Sequence, residues 1–121
     1  MQKILINTAI GGYSLSSELI KAYLDVKNIE YDEHLETIFG EKEIFFMDKN
    51  NPEHCYNYYV INEVPRDDPT LIKLVEKLGI KRSSGNFASL KIVEIPDDVK
   101  WGIYCSETGE EHVYEQHRIW R

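Results

Sequence analysis

Two adjacent glycines, Gly11-Gly12, divide the start of this chain into two elements of different kinds. Before them, residues 3–8 (Lys3-Ile4-Leu5-Ile6-Asn7-Thr8) have the apolar, β-branched character of a buried strand. After them, Leu19, Ile20, Tyr23 and Leu24 recur at helical spacing and predict a helix over residues 17–27. Ser16 is its natural N-cap, and Glu18 lies in the first turn, where a carboxylate favours the helix dipole. Asn28 can end the helix in a left-handed conformation.

A strand, a glycine turn and a capped helix start together leave backbone N–H groups at the positive end of a helix, an arrangement suited to an anion. Gly11, Gly12 and Ser14 are the candidate donors, and Tyr13 is a candidate for stacking on a ring. The same glycines also serve as a tight connection with positive φ, and the residues leave both readings open. No Gly-Lys-Ser/Thr follows, so the turn is not a Walker loop, and the third glycine of a dinucleotide fingerprint is missing.

The second helix has the clearer start. In Pro65-Arg66-Asp67-Asp68-Pro69, Asp68 is the expected N-cap and Pro69 the first helical residue; Leu71, Ile72, Leu74, Val75 and Leu78 supply the apolar face, and Gly79 ends it. Capping accounts for the aspartates, while Arg66 is left as a candidate phosphate ligand. Between the helices, residues 29–53 read as an irregular excursion, with a short apolar run at Ile44-Phe45-Phe46-Met47 and turn chemistry at Asp48 to Pro52. Tyr56 to Asn62, rich in Tyr, Val and Ile, reads as a strand. After a polar loop from Lys81 to Asn86, three strands are expected: residues 88–95, 101–105 and 112–120, the last two joined by a hairpin at Glu107-Thr108-Gly109-Glu110. The expectation is a single α+β domain over residues 1–121, with a largely antiparallel sheet and two helices packed on one face.

The formal net charge of −7 argues against duplex nucleic acid, which requires clustered Lys and Arg, but leaves a small anionic ligand possible through local charge. No apolar run reaches the roughly 18–20 residues of a membrane span, and no leader precedes the first strand, so a cytoplasmic protein without membrane contact is expected. Cys55 and Cys105 are then expected as free thiols. The four histidines lack metal-ligand spacing, and neither a metal nor a cofactor is expected. No nucleophile motif is present; Glu115 and His117 share a strand face, an arrangement that fits a hydrolytic pair and an ordinary polar outer face alike. The end, Glu115 to Arg121, places Arg118 and Trp120 together, a combination that offers phosphate charge and stacking, while Trp120 reads more readily as a core or dimer-interface aromatic. Arg82, in the polar loop, completes the set of candidate anion ligands.

These segments resemble a group of short bacteriophage and prophage proteins. The resemblance rests on the Gly-Gly-aromatic-x-Leu-Ser turn (Gly11 to Ser16), the Arg-Asp-Asp-Pro helix start (Arg66 to Pro69), the Leu-Lys-Ile-Val-Glu-Ile-Pro-Asp-Asp-Val-x-Trp strand pair (Leu90 to Trp101) and the closing Glu-x-His-Arg-x-Trp (Glu115 to Trp120). It does not cover residues 30–60. By analogy with small phage-borne proteins it implies counter-defence, by sequestering a nucleotide-derived immune signal: a cyclic ADP-ribose isomer, an ADP-ribose conjugate or a cyclic oligonucleotide. Such a protein holds its ligand without turnover and gains enclosure as a homodimer or larger homo-oligomer. On this reading Gly11, Gly12, Tyr13, Ser14, Arg66, Arg82, Arg118 and Trp120 bind the ligand. An acidic protein that blocks a basic host enzyme is the alternative, favoured by Glu107, Glu110, Glu111 and Glu115; a small nucleotide-signal hydrolase is a further one.

Overall fold

The computed structural model describes residues 1–116. Strand β1 (Gln2–Asn7) buries Ile4, Leu5, Ile6 and Asn7 almost completely and pairs antiparallel with β4 (Leu90–Ile95). Helix α1 (Ser17–Val26) turns Leu19, Ile20, Tyr23 and Leu24 inward, and the Ser16 Oγ accepts the Leu19 N–H at 3.1 Å as the sequence predicts. Helix α3 (Pro69–Leu78) starts where its capping residues place it. The Asp68 carboxylate accepts the Leu71 N–H at 3.0 Å, Pro69 leads the first turn, and Gly79 (φ 88°) closes the last. Leu71, Ile72 and Val75 of α3 meet α1 in a core that also takes in Leu5, Phe46, Val60 and Leu90.

Residues 29–53 are more regular than expected. They form a hairpin, β2 (Asp32–Ile38) and β3 (Glu41–Met47), turned by Phe39-Gly40 with φ of 50° and 81°. Phe39 carries no turn signal, and a bulky residue rarely takes positive φ, so the corner was not readable as one.

The segment Tyr56–Asn62 is helix α2, not the expected strand. Its β-favouring composition yields to tertiary packing: Asn57 and Val60 lie one turn apart and face inward, followed by Val64. The Asn57 amide also closes β3, accepting from the Phe46 N–H at 2.9 Å and donating to the Ile44 carbonyl at 3.0 Å. A one-turn helix, α4 (Ile80–Ser83), occupies the start of the expected polar loop.

Strand β5 (Trp101–Cys105) pairs antiparallel with β6 (Glu111–Glu115), whose expected continuation lies partly outside the described residues. The fold is α+β with antiparallel pairing throughout, its strands divided among three two-stranded ladders, β1-β4, β2-β3 and β5-β6, with four helices among the described residues. The β5-β6 hairpin lies beside β1, bringing Thr108, Gly109 and Glu111 to the end of the first strand.

Candidate functional site

The glycine corner is knit together from within. Asn7, fully buried at the end of β1, donates its side-chain amide to the carbonyls of Ala9 and Gly109 and accepts from the N–H groups of Ala9 and Ser89. The Gly11 N–H donates to the Thr108 carbonyl at 2.9 Å, so one of the expected anion donors is already engaged. Gly11 (φ 120°) and Gly12 (φ 94°) both lie in the left-handed region, and the loop at Gly109 packs directly on the Gly12 backbone.

Arg66 and Tyr13 come together, as a ligand site would require, but each faces the other. The guanidinium lies 3.4 Å from the Tyr13 ring centre. It binds both carboxylate oxygens of Glu111, at 2.7 and 2.8 Å, and donates to the Leu5 carbonyl at 3.1 Å. Glu111 is buried and also accepts the Asn7 N–H at 2.8 Å. A fork-to-fork pair of this kind is among the stronger charged contacts in proteins. Its charge is balanced before any phosphate arrives. Burial pushes the Tyr13 hydroxyl up to about 12, with nearby Arg66 pulling the other way, and its oxygen has no hydrogen-bond partner among the described residues.

The other predicted ligands lie elsewhere. Arg82 pairs with Glu18 on the surface, and its carbonyl accepts the Ser16 hydroxyl. Arg118, Trp120 and His117 lie outside the described residues, and Glu115 is exposed at the end of β6. Of the candidate ligands Gly11, Gly12, Tyr13 and Ser14, Ser14 lines a cavity, together with Leu15 and Ser16 that follow it. The Ser14 Oγ packs on the Cα of Gly85, where a Cβ would collide with it, and the Ser14 carbonyl accepts the Gly85 N–H at 3.2 Å.

That cavity, about 260 Å³, lies between the start of α1, β3, α2 and the loop at Gly85-Asn86. Its polar wall holds Ser14, Ser16 and Ser17 at the start of α1, where the Ser16 hydroxyl and carbonyl already accept the Leu19 and Ile20 N–H groups. Lys42 and Asn86 extend this wall, with Glu43 at its rim hydrogen-bonded to Asn86 at 3.1 Å. Ile20, Ile44, Phe45 and Tyr58 form the apolar side. A wall carrying serine hydroxyls and a lysine, facing apolar and aromatic residues, suits a small molecule with an anionic group on a flat ring.

Lys42, Phe45 and Tyr58 were missed because they fall in residues 30–60, where the sequence showed neither the hairpin nor the helix that brings them to α1. Ser17 was legible as part of a helix start, though not as part of a cavity wall.

Among the described residues no group of three or more His, Cys, Asp or Glu is placed to hold a metal, and no helix is long and apolar enough to cross a membrane. No family model, curated protein or solved structure matches the chain.

Proposed function

We propose that this chain is a binding protein that holds a nucleotide-derived signal without turnover, in a phage counter-defence role. The observation that carries the reading is the two-sided cavity at the start of α1, donors on one wall and Ile20, Ile44, Phe45 and Tyr58 on the other. Phosphate belongs against Ser14, Ser17 and Lys42, and the base against Phe45 and Tyr58. At about 260 Å³ the cavity is just below the usual range of roughly 300–1,000 Å³, so it takes one ring-and-phosphate unit at a time. A larger signal extends through the open mouth, where a second copy in a homo-oligomer would enclose it. Arg66 and Tyr13 act in this reading by fixing the glycine turn that carries Ser14.

Calorimetry with adenosine monophosphate, ADP-ribose and cyclic dinucleotides tests it. A stoichiometric complex is expected, weakened at least about tenfold by Lys42→Glu, because the substitution reverses the one ammonium on the cavity wall. Absence of binding by every probe below about 1 mM, or recovery of a chemically altered ligand, would overturn it.

A further inference from the structure

Strand β2 has one paired side and one open side. The Phe39-Gly40 corner, with both φ values positive, is a two-residue turn of the type that matches hairpin twist, and Ile38 and Glu41 are its closing pair. In an antiparallel ladder the closing pair exchanges both hydrogen bonds, and the alternation then fixes the rest. Glu36, His34 and Asp32 bond to Glu43, Phe45 and Met47, while Glu33, Leu35 and Thr37 direct their N–H and C=O groups away from β3. Among the described residues no strand or loop pairs with that outer edge.

Proteins usually protect such edges with proline, a bulge, lysine or a covering segment. Among the described residues this edge has none of these, and six of its seven residues are exposed, Leu35 at 60%. Its charge has one sign. Asp32, Glu33, Glu36 and Glu53 border an open cleft of about 650 Å³ beside β2, with Phe45 and Met47 within it and no lysine or arginine in its lining. Lys21 reaches Glu33 and His34 reaches Glu36, but both pairs are exposed and hold their partners weakly. A second copy is a poor occupant, since pairing two β2 edges would gather six carboxylates against two imidazoles.

We propose that the outer edge of β2 accepts an extended segment of another protein, added as a third strand, in which basic residues alternate with apolar ones. The three outward-facing residues supply the backbone bonds. Basic side chains lie over the cleft face against Asp32, Glu36 and Glu53, and apolar ones lie beside Leu35 on the opposite face. This goes beyond the ligand-binding reading: its backbone contacts lie on the outer edge of β2, although Phe45 and Tyr58 border both the cleft and the cavity at the start of α1. It also gives the partner-blocking alternative a specific surface.

The probe is a synthetic nine-residue peptide alternating lysine with valine. Comparison peptides carry glutamate for lysine, or N-methyl groups on only the lysine or only the valine amides. Binding is followed by amide NMR and hydrogen exchange on the intact chain. The lysine peptide is expected to slow exchange at Glu33, Leu35 and Thr37 by about tenfold or more, and the glutamate peptide to bind at least about tenfold more weakly. One N-methylated set should lose binding and the other keep it, because only alternate amides of an added strand face its neighbour. The Asp32→Lys, Glu36→Lys double variant should weaken the complex similarly without disturbing the amides of β1 and α1; the peptide series leaves the protein unaltered and decides the matter if that variant misfolds. Binding without protection of those three amides, equal binding by both N-methylated sets, no binding at about 1 mM, or self-association through β2 would each overturn the proposal. Nucleotide binding at the start of α1 is read separately by calorimetry, and the double variant leaves Phe45 and Tyr58, which border both sites, unaltered.

Discussion

Glu111 holds more of the glycine corner together than either glycine does. Its carboxylate is the counter-ion of Arg66 and the acceptor of the Asn7 N–H, so one side chain joins β6, β1 and the approach to α3. Removing it strands a half-buried guanidinium and a buried amide together. Glu111→Leu should therefore cost about 3–5 kcal/mol in urea unfolding, the usual penalty for breaking one side of a buried pair. Tyr13 should behave oppositely. Its hydroxyl is buried with no partner among the described residues, so Tyr13→Phe removes an uncompensated desolvation cost and should stabilise by about 1 kcal/mol. The pH dependence has a definite sign. Burial raises the native tyrosine to about 12, against about 10 when unfolded, so the unfolded chain ionises first. Stability from this group is complete below about pH 10 and falls as pH rises through about 12. Denaturation curves at pH 8, 10 and 11 should show a shallower alkaline loss for Tyr13→Phe. A residual slope remains, because desolvation holds Tyr23 and Tyr31 near 12 as well.

Helices α1 and α3 were legible because their signals are local: a capping side chain, a proline where no N–H is needed, and apolar residues at helical spacing. Asp68→Ala should accordingly cost about 1 kcal/mol, read as a shift in the urea midpoint at constant slope. Helix α2 was illegible for the converse reason. Tyr56, Tyr58, Tyr59, Val60 and Ile61 favour strands, and what makes the segment helical is a contact with β3. Asn57 makes that contact, which shows as an amide in the sequence and as a clamp only once β3 is beside it. Asn57→Ala should leave the Phe46 N–H buried without an acceptor and cost about 1–3 kcal/mol by the same measurement. An unchanged midpoint would mean that side chain does not fix α2 against β3. The candidate cavity inherits this dependence. Ser14 and Ser17 come from the legible glycine turn and first helix, whereas Lys42, Phe45 and Tyr58 arrive only with the hairpin and α2.

At the scale of the whole molecule, apolar burial is unevenly spread, and stability should follow it. The fully buried residues Ile4, Leu5, Leu19, Leu24, Leu71 and Val75 lie on β1, α1 and α3. The β2-β3 hairpin contributes Phe46 to that core, while almost all of β2 is solvent-exposed. The β5-β6 hairpin is joined to the rest chiefly by polar contacts, through Asn7, Gly11, Arg66 and Trp101. Regions with few buried apolar contacts open locally, at far lower free energy than the core. Native-state hydrogen exchange should then resolve three levels. The Leu5 and Ile72 amides, bonded to the carbonyls of Arg66 and Asp68, should exchange only through global unfolding, with denaturant sensitivity matching the equilibrium slope. The inward-facing amides of β5 and β6 should open at an intermediate level that Glu111→Leu lowers. Glu33, Leu35 and Thr37, with no acceptor at the outer edge of β2 among the described residues, should exchange nearly as fast as an unstructured chain. Slow exchange at those three in the isolated chain would mean that something within the protein already covers that edge. The molecule would then have a closed surface where its strand pairing leaves an open one.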